Sequence, residues 1–427
     1  MLPFSIFNFA FSVLLAACGS ALPSPARPES AYPSPVAFVT KAPVLVPTVT
    51  PTLAPLPTST AVVATAVPKR LPQESTATIG VWSDRVADIK PFGFLDLAAG
   101  DGAAAYKQER NNYLVTLSGA QIETASIDQL SDLQTKKSDW LLYDKNKKAV
   151  LDSNGAPLYD IRNDAVRKQL AEDVAKVADA PNIEGVVLSG VGVDLVRTTA
   201  APIFTGTKAF SEVQRRDAVD GLLRIVRDRV QNKLLIIGGY AWRDGAAYAA
   251  KPEEAQNLAT LADGVHIEEF MRSPISATNE FRSEAAWKKD VDYLSAISQD
   301  NKVVLITTRL DASGATSDTV RQWLNLTVAS YLLGKNGAHT YLQFDAGDAA
   351  YTNDPVLSAP IGSPTEAYTK LDGGVYQRKF SKGIVLVNPS GDQKKAALQA
   401  QFKTLSGTVI ESSITMGPRT GIILLSN

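Results

Sequence analysis

The sequence predicts an α/β protein: a (β/α)8 TIM barrel followed by a small antiparallel β domain. Three observations carry that prediction. Short apolar runs alternate with amphipathic stretches over roughly 270 residues, the pattern of strands separated by crossover helices. Eight of those runs have the length of barrel staves. Near the C-terminus the pattern changes to residue-by-residue alternation broken by tight turns.

In chain order the strand candidates are Thr78–Ser83, Asn112–Ser118, Asp139–Tyr143, Ile183–Ser189, Lys233–Gly239, Gly264–Glu268, Lys302–Thr308 and Ala338–Phe344. Helical patterns stand between them at Asp164–Ala178, Ser211–Val230, Ser283–Ser298 and Asp318–Leu333. In the second of these Val213, Ala218, Leu222, Ile225, Val226 and Arg229 recur at helical spacing. Asp318 is a candidate acidic N-cap for the last. A doubly wound open sheet is the rival architecture. No G-x-G-x-x-G or P-loop follows a strand, so a nucleotide site has no support. Beyond the barrel, Gly374–Asn388 alternates and turns at Ser381-Lys-Gly383, which predicts a hairpin.

The sixth candidate, in Ala262-Asp-Gly-Val-His-Ile-Glu-Glu-Phe270, organises the functional reading. Val265 and Ile267 share one parity, and His266 and Glu268 the other. A barrel strand packs its apolar parity on the helices and points the other inward. Glu268 is thereby expected at the C-terminal rim, where barrel enzymes keep their chemistry, and Glu269 is turned aside.

Composition removes several classes of function. The net charge is −1 with acids and bases interspersed, which speaks against a nucleic-acid surface. Cys18 is the only cysteine, and His266 and His339 are the only histidines. The folded body therefore has no disulfide, and a multi-histidine metal site is not expected. No cofactor is expected either. His266 reads as a satisfied core histidine, and His339 lies at the opposite, stabilising end of the barrel.

Residues 3–17 form an apolar run of signal-peptide length that closes on Leu15-Ala16-Ala17-Cys18. This resembles a bacterial lipobox, in which the cysteine carries the lipid and anchors the chain to a membrane. No Lys or Arg precedes the run, and an ordinary secretory leader is the alternative. Residues 19–76 are rich in Pro, Ala, Thr, Ser and Val and have few charges. Such a segment builds no core and acts as a stalk on the order of 100 Å long if extended. The expected organisation is a leader over 1–18, a stalk over 19–76, a barrel over 77–365 and a β domain over 366–427. The expected location is outside the cytoplasm, on a membrane.

Three stretches carry a resemblance to a known family. Ile183-Glu-Gly-Val-Val-Leu188 looks like its strand-four DGVFLD segment, and Asp263–Phe270 like its strand-six DGVxxExF segment. Val375–Pro389 looks like its C-terminal hairpin. The chain resembles the hypothetical glycosyl hydrolase-like barrel proteins, family fifteen of that series, themselves distantly similar to endo-α-1,4-polygalactosaminidases. The resemblance implies a TIM-barrel glycosidase acting on a polysaccharide. The family pattern ends strand four in aspartate, where this sequence has Ser189.

Glycoside cleavage uses one carboxyl to protonate the leaving oxygen and another to attack or to activate water. Glu268 is the candidate acid/base. Asp194, five residues beyond Ser189, is the candidate partner. Substrate-contact candidates are Asp144, Trp82, Tyr240, Trp242, Arg309 and Asp345, each placed just at or after a predicted strand end. Carboxylates and arginines there would meet sugar hydroxyls, and aromatic planes would stack on sugar C–H faces. Asp84, Tyr143, Arg243 and Arg272 occupy similar positions, where packing, pairing or solvation is the readier account. Two readings stay open: a polysaccharide hydrolase, or a glycan-binding barrel that lost its strand-four carboxylate. A tethered scaffold with no carbohydrate role is the third.

Overall fold

Eight parallel strands close into a barrel, each hydrogen-bonded to the next and the eighth to the first. They are β1 (Gly80–Ser83), β2 (Leu97–Ala98), β3 (Val115–Gln121), β4 (Gly185–Ser189), β5 (Leu234–Ile237), β6 (Gly264–Ile267), β7 (Val303–Arg309) and β8 (Thr340–Asp345). Closure is made by Gly80 opposite Tyr341 on one side of β1 and Trp82 opposite Leu97 on the other. The computed structural model describes residues 79–84, 97–98, 115–121, 130–144, 146–151, 156–189, 191, 204–205, 208–209, 212–238, 260–272, 280–298, 302–347 and 354–427. All of these lie in the unit Ala64–Asn427.

Strand parity sorts the side chains into two layers. Trp82, Leu117, Val187, Leu234, Ile236, Val303, Leu305 and Tyr341 pack together inside the ring. The intervening residues, among them Val186, Leu188, Val265, Ile267, Val304 and Ile306, face outward onto the helices. The barrel is therefore a filled core, open to chemistry only at its ends. The neighbouring staves come very close at the foot of β6. A Cβ on Gly264 would lie 2.1 Å from the Val303 carbonyl oxygen, so only glycine fits there.

The helices include α1 (Leu130–Lys136), α2 (Asp164–Ala178), α3 (Glu212–Arg229), α4 (Glu284–Ile297) and α5 (Ser317–Gly334), and the last four clothe the ring. In α2 the residues Val166, Leu170, Ala171, Val174 and Ala178 are buried, a stripe at three- and four-residue spacing. The side chain of Asn163 caps its first turn by accepting from the Ala165 N–H. Ser283 does the same for α4. The cap of α5 is Thr316, which accepts from the Thr319 N–H, and Asp318 sits inside the first turn. Asp318 is thus not the cap the sequence suggested, although its charge suits the positive end of the helix.

Two strand assignments need correction. The second stave is Leu97–Ala98, and Val115–Gln121 is the third. Asp139–Tyr143 is no stave. Asp139 and Trp140 lie in a 3-10 turn, and Leu141 and Tyr143 make isolated antiparallel bridges to Tyr159 and Ala149. The run is apolar because Leu141 packs with Leu133 and Ala149 in a satellite cluster outside the barrel.

After the barrel come β9 (Thr369–Lys370), β10 (Tyr376–Phe380), β11 (Gly383–Asn388), β12 (Lys394–Ala397), β13 (Phe402–Thr404), β14 (Val409–Ile410), β15 (Ser413–Met416) and β16 (Thr420–Ser426). Six of them form an antiparallel sheet in the order β9-β10-β11-β16-β13-β14, and β12 pairs with β15. The predicted hairpin is β10–β11, with Phe380 opposite Gly383 across the turn. Arginines join this sheet to the barrel. Arg378, only 4 % exposed, donates to the carbonyls of Leu332, Leu333 and Lys335 at the end of α5, to Asn336 Oδ1 and to the Glu366 carbonyl. Arg419 donates from one nitrogen to the carbonyls of both Arg282 and Pro389.

Candidate active site

Glu268 follows directly on β6, with the inward parity of His266. Its side chain is 26 % exposed, so it meets solvent from a partly enclosed position. A Cβ built on Gly238, just past β5, would lie 2.7 Å from Glu268 Oε1 and 3.6 Å from the Ser189 Cα. The carboxylate therefore rests against the bare backbone of Gly238, beside the end of β4. Gly238 is itself fixed there: its N–H donates to Leu188 O at 2.8 Å, and its carbonyl accepts from the Val191 N–H at 3.2 Å.

The loop that carries Glu268 is strapped down. Phe270 N donates to Thr307 O, and Thr308 Oγ1 donates to Phe270 O at 2.8 Å. Met271 adopts φ +71°, and its N–H reaches the buried Asp290 carboxylate on α4. Arg282 pairs with Asp290 at 2.9 Å and donates to the Glu269 carbonyl at 2.8 Å. Glu269 is buried beside this strap, turned away from the mouth as its parity requires.

From Glu268 a line of inward-facing polar side chains runs round the ring. His266 Nδ1 lies 3.9 Å from Glu268 Oε1, and His266 Nε2 is 2.9 Å from Thr307 Oγ1. Thr307 Oγ1 donates to Gln343 Oε1 at 3.2 Å, and Gln343 Nε2 donates to Asp84 Oδ1 at 2.6 Å. Arg309 then bridges Asp84 at 3.1 Å and Asp345 at 2.9 Å. The sequence pattern does not single out Thr307 and Gln343. Their signal was parity, since each shares a strand face with a charged rim residue, Arg309 and Asp345.

Burial pushes the His266 pKa below its ordinary value. The charges of Glu268 and Asp84 pull it partly back, and Arg309 adds to the fall. The sign of the linkage follows. An unfolded histidine binds its proton near pH 6.5, and the folded one only at lower pH. Its contribution to stability is therefore complete above about pH 6.5 and is lost as the pH falls below that value. Chemical denaturation from pH 7.5 to 5 is expected to show this loss, and His266→Gln should flatten it. An equal slope in the variant would assign the acid lability elsewhere.

The structure treats the other candidates unequally. Trp82 is 1 % exposed, donates its indole N–H to Ile306 O at 2.9 Å and meets His266 edge-on at 4.8 Å. It is a plug in the barrel interior with no face free for a sugar, which corrects the rim-aromatic expectation. Asp144 follows no stave. Its carboxylate accepts from the N–H groups of Asn146 and Lys148 and caps a tight turn. Arg309, 42 % exposed, and Asp345 do stand at the mouth, ion-paired to each other. Arg272 is buried against the Trp323 ring, 4.7 Å from its centroid, and belongs to the core. His339 immediately precedes β8, at the end of the barrel away from Glu268. Asp194, Tyr240, Trp242, Arg243 and Cys18 lie outside the described residues.

Sequence comparison identifies the kind of protein that carries this arrangement. The profile of hypothetical glycosyl hydrolase family 15 matches residues 106–384, well over half of the chain. The chain belongs to that family. The match spans β3 to β8, with Glu268, and runs on into the C-terminal hairpin. No curated protein matches this sequence. Among solved structures, the glycoside hydrolase domain of PelA from Pseudomonas aeruginosa aligns at 12 % identity and a TM-score of 0.42 over 67 % of this chain and 97 % of that one. An Anoxybacillus α-amylase aligns at 12 % identity and 0.44 over 74 % and 77 %. A pullulanase from Anoxybacillus sp. LM18-11, complexed with maltotriose, aligns at 10 % identity and 0.46 over 76 % of this chain and 54 % of its own. At that distance no residue's role passes from those proteins to this member of hypothetical glycosyl hydrolase family 15.

Gly238 supplies a direct test of the seat under the Glu268 carboxyl. A methyl at that position displaces the Glu268 carboxylate, while its backbone neighbours stay 3.6 Å away. An ångström of misplacement costs about 100-fold in rate. Gly238→Ala is expected to lose about that much activity while melting within a few degrees of the parent. Full activity in that variant would show that the carboxylate is not needed at this seat.

Proposed function

We propose that the chain is an extracytoplasmic, lipid-anchored glycoside hydrolase that cleaves a polysaccharide with a pair of carboxyl groups. One observation carries the proposal: a partly exposed carboxyl, Glu268, fixed at the C-terminal mouth of a closed barrel in a glycosyl hydrolase family. In this reading Glu268 protonates the glycosidic oxygen as its bond to the sugar breaks. Asp194, five residues beyond Ser189 in the sequence, supplies the second carboxyl. Ser189 holds the strand end where the family pattern has aspartate, and it cannot take that role itself. Arg309 and Asp345 contact sugar hydroxyls at the mouth, with Tyr240 and Trp242 as further contacts. Lipidated Cys18 and the Pro-rich stalk hold the barrel away from a membrane surface. No helix among the described residues is long and apolar enough to cross a membrane.

A second reading has its own observation. With serine at the end of β4, the barrel could bind a glycan and leave it intact. The test is a screen of plant, fungal and bacterial polysaccharides for released reducing ends, paired with affinity electrophoresis on the same polymers. Cleavage lost in both Glu268→Gln and Asp194→Asn supports the hydrolase. Retarded migration without cleavage supports the binding barrel. Neither result removes both readings. Radiolabelled palmitate incorporation, abolished by Cys18→Ser, tests the anchor.

A further inference from the structure

His266 is nine-tenths buried, and its Nδ1 makes no hydrogen bond while lying 3.9 Å from Glu268. The polar line behind it determines what that nitrogen presents. Asp84 is ion-paired to Arg309, so it is a carboxylate and only accepts. The Gln343 atom 2.6 Å from it is therefore the amide nitrogen, and the amide oxygen faces Thr307. The Thr307 hydroxyl has one hydrogen, which goes to that oxygen. It must then accept from His266 Nε2, which carries the ring proton. A neutral ring protonated on Nε2 offers a bare lone pair at Nδ1.

We propose that His266 is a positioning residue for the acid, locked by the Thr307–Gln343–Asp84 chain so that its Nδ1 lone pair receives and orients the Glu268 carboxyl proton between turnovers. The proposal rests on Glu268 being the acid of a hydrolase. The observed separation is 3.9 Å, and a small turn of the Glu268 carboxyl group would bring its proton to hydrogen-bond distance of Nδ1. When substrate enters, the proton passes from Glu268 to the glycosidic oxygen as the C–O bond breaks, leaving a carboxylate and an alcohol. The imidazole stays neutral and keeps its hydrogen on Nε2. The charged groups that act on the ring are Glu268 just past its own strand, Asp84 beyond β1 and Arg309 at the end of β7; Thr307 and Trp82 face it without charge. Burial lowers the ring's pKa, in keeping with a neutral imidazole.

The tautomer is readable without any substrate. Nitrogen NMR of the full chain with 15N-histidine shows two rings, and the His266→Gln variant assigns them. The expected result at pH 7 is a neutral ring protonated on Nε2, with an Nδ1 resonance that moves in Glu268→Gln. Thr307→Val should release the ring to a mixture of tautomers, and Thr307→Ser should keep it locked. An Nδ1-protonated ring, an imidazolium at pH 7, or an Nδ1 signal indifferent to Glu268→Gln overturns the proposal. On a cleaved polysaccharide, His266→Gln should move the alkaline limb of kcat/KM down by about one pH unit, a tenfold loss above it. An unmoved limb also overturns the proposal. Failure of the NMR arms with hydrolysis intact ends this inference alone. Absence of hydrolysis with the NMR result intact ends the hydrolase reading instead.

Discussion

Glutamine in place of Glu268 is expected to lower kcat by about 100- to 10,000-fold with little change in KM or melting temperature. The two side chains have nearly the same shape. The amide still fits against Gly238, and the strap through Phe270, Met271 and Arg282 holds the loop as before. What disappears is the proton that the carboxyl would give to the leaving oxygen. A general acid's contribution exists only in the transition state, so its loss falls on kcat. The effect should shrink on substrates with a good leaving group, such as a nitrophenyl glycoside, because these depart without protonation. Steady-state kinetics on both substrate types decide the matter. Equal losses on the two would make Glu268 a nucleophile, and no loss on either would remove it from the site.

Loss of the Arg378 guanidinium should be the most costly single change for stability. Arg378→Leu is expected to destabilise the fold by about 3–5 kcal/mol, read as a shift in denaturant midpoint. The guanidinium is buried, and burial lowers its pKa below the ordinary arginine value without discharging it. Its five hydrogen bonds all go to oxygens, three of them the carbonyls of Leu332, Leu333 and Lys335. These belong to the last turn of α5, where a helix leaves its carbonyls without internal partners and carries partial negative charge. Leucine leaves them buried and unpaired. Lysine would restore only part of the loss, because an ammonium cannot spread over the same arc. A midpoint within about 1 kcal/mol of the parent would mean that water satisfies the helix end instead.

The legibility of the sequence followed the length of each pattern. Helix α2 was expected at Asp164–Ala178 and is found there, because four turns of apolar spacing and the acidic first turn agree. The facing of β6 was legible from only four residues, since a strand's parity admits two choices and Val265 and Ile267 select one. Stave β2 was not legible. Two residues, Leu97 and Ala98, carry no period, and their place is set by the partners on either side. Asp139–Tyr143 misled for the converse reason: apolarity reports burial, and Leu141 is buried in a local cluster outside the ring. In the site, the position of Glu268 was legible and its supports were not. Gly238 reads as an ordinary strand end, and only its closeness to the acid gives it meaning. The end of β1 is legible at Ser83, but the inward parity that plugs the ring with Trp82 is not, because the strand's short pattern does not show which face is filled.

Arg419 of the final sheet holds the Arg282 carbonyl, and the Arg282 side chain in turn clasps Asp290 and the backbone next to the acid. Trimming the protein to its barrel would thus cut a guy-rope whose far end is the mouth that holds Glu268. The terminal module serves as a buttress for a candidate site on another part of the chain.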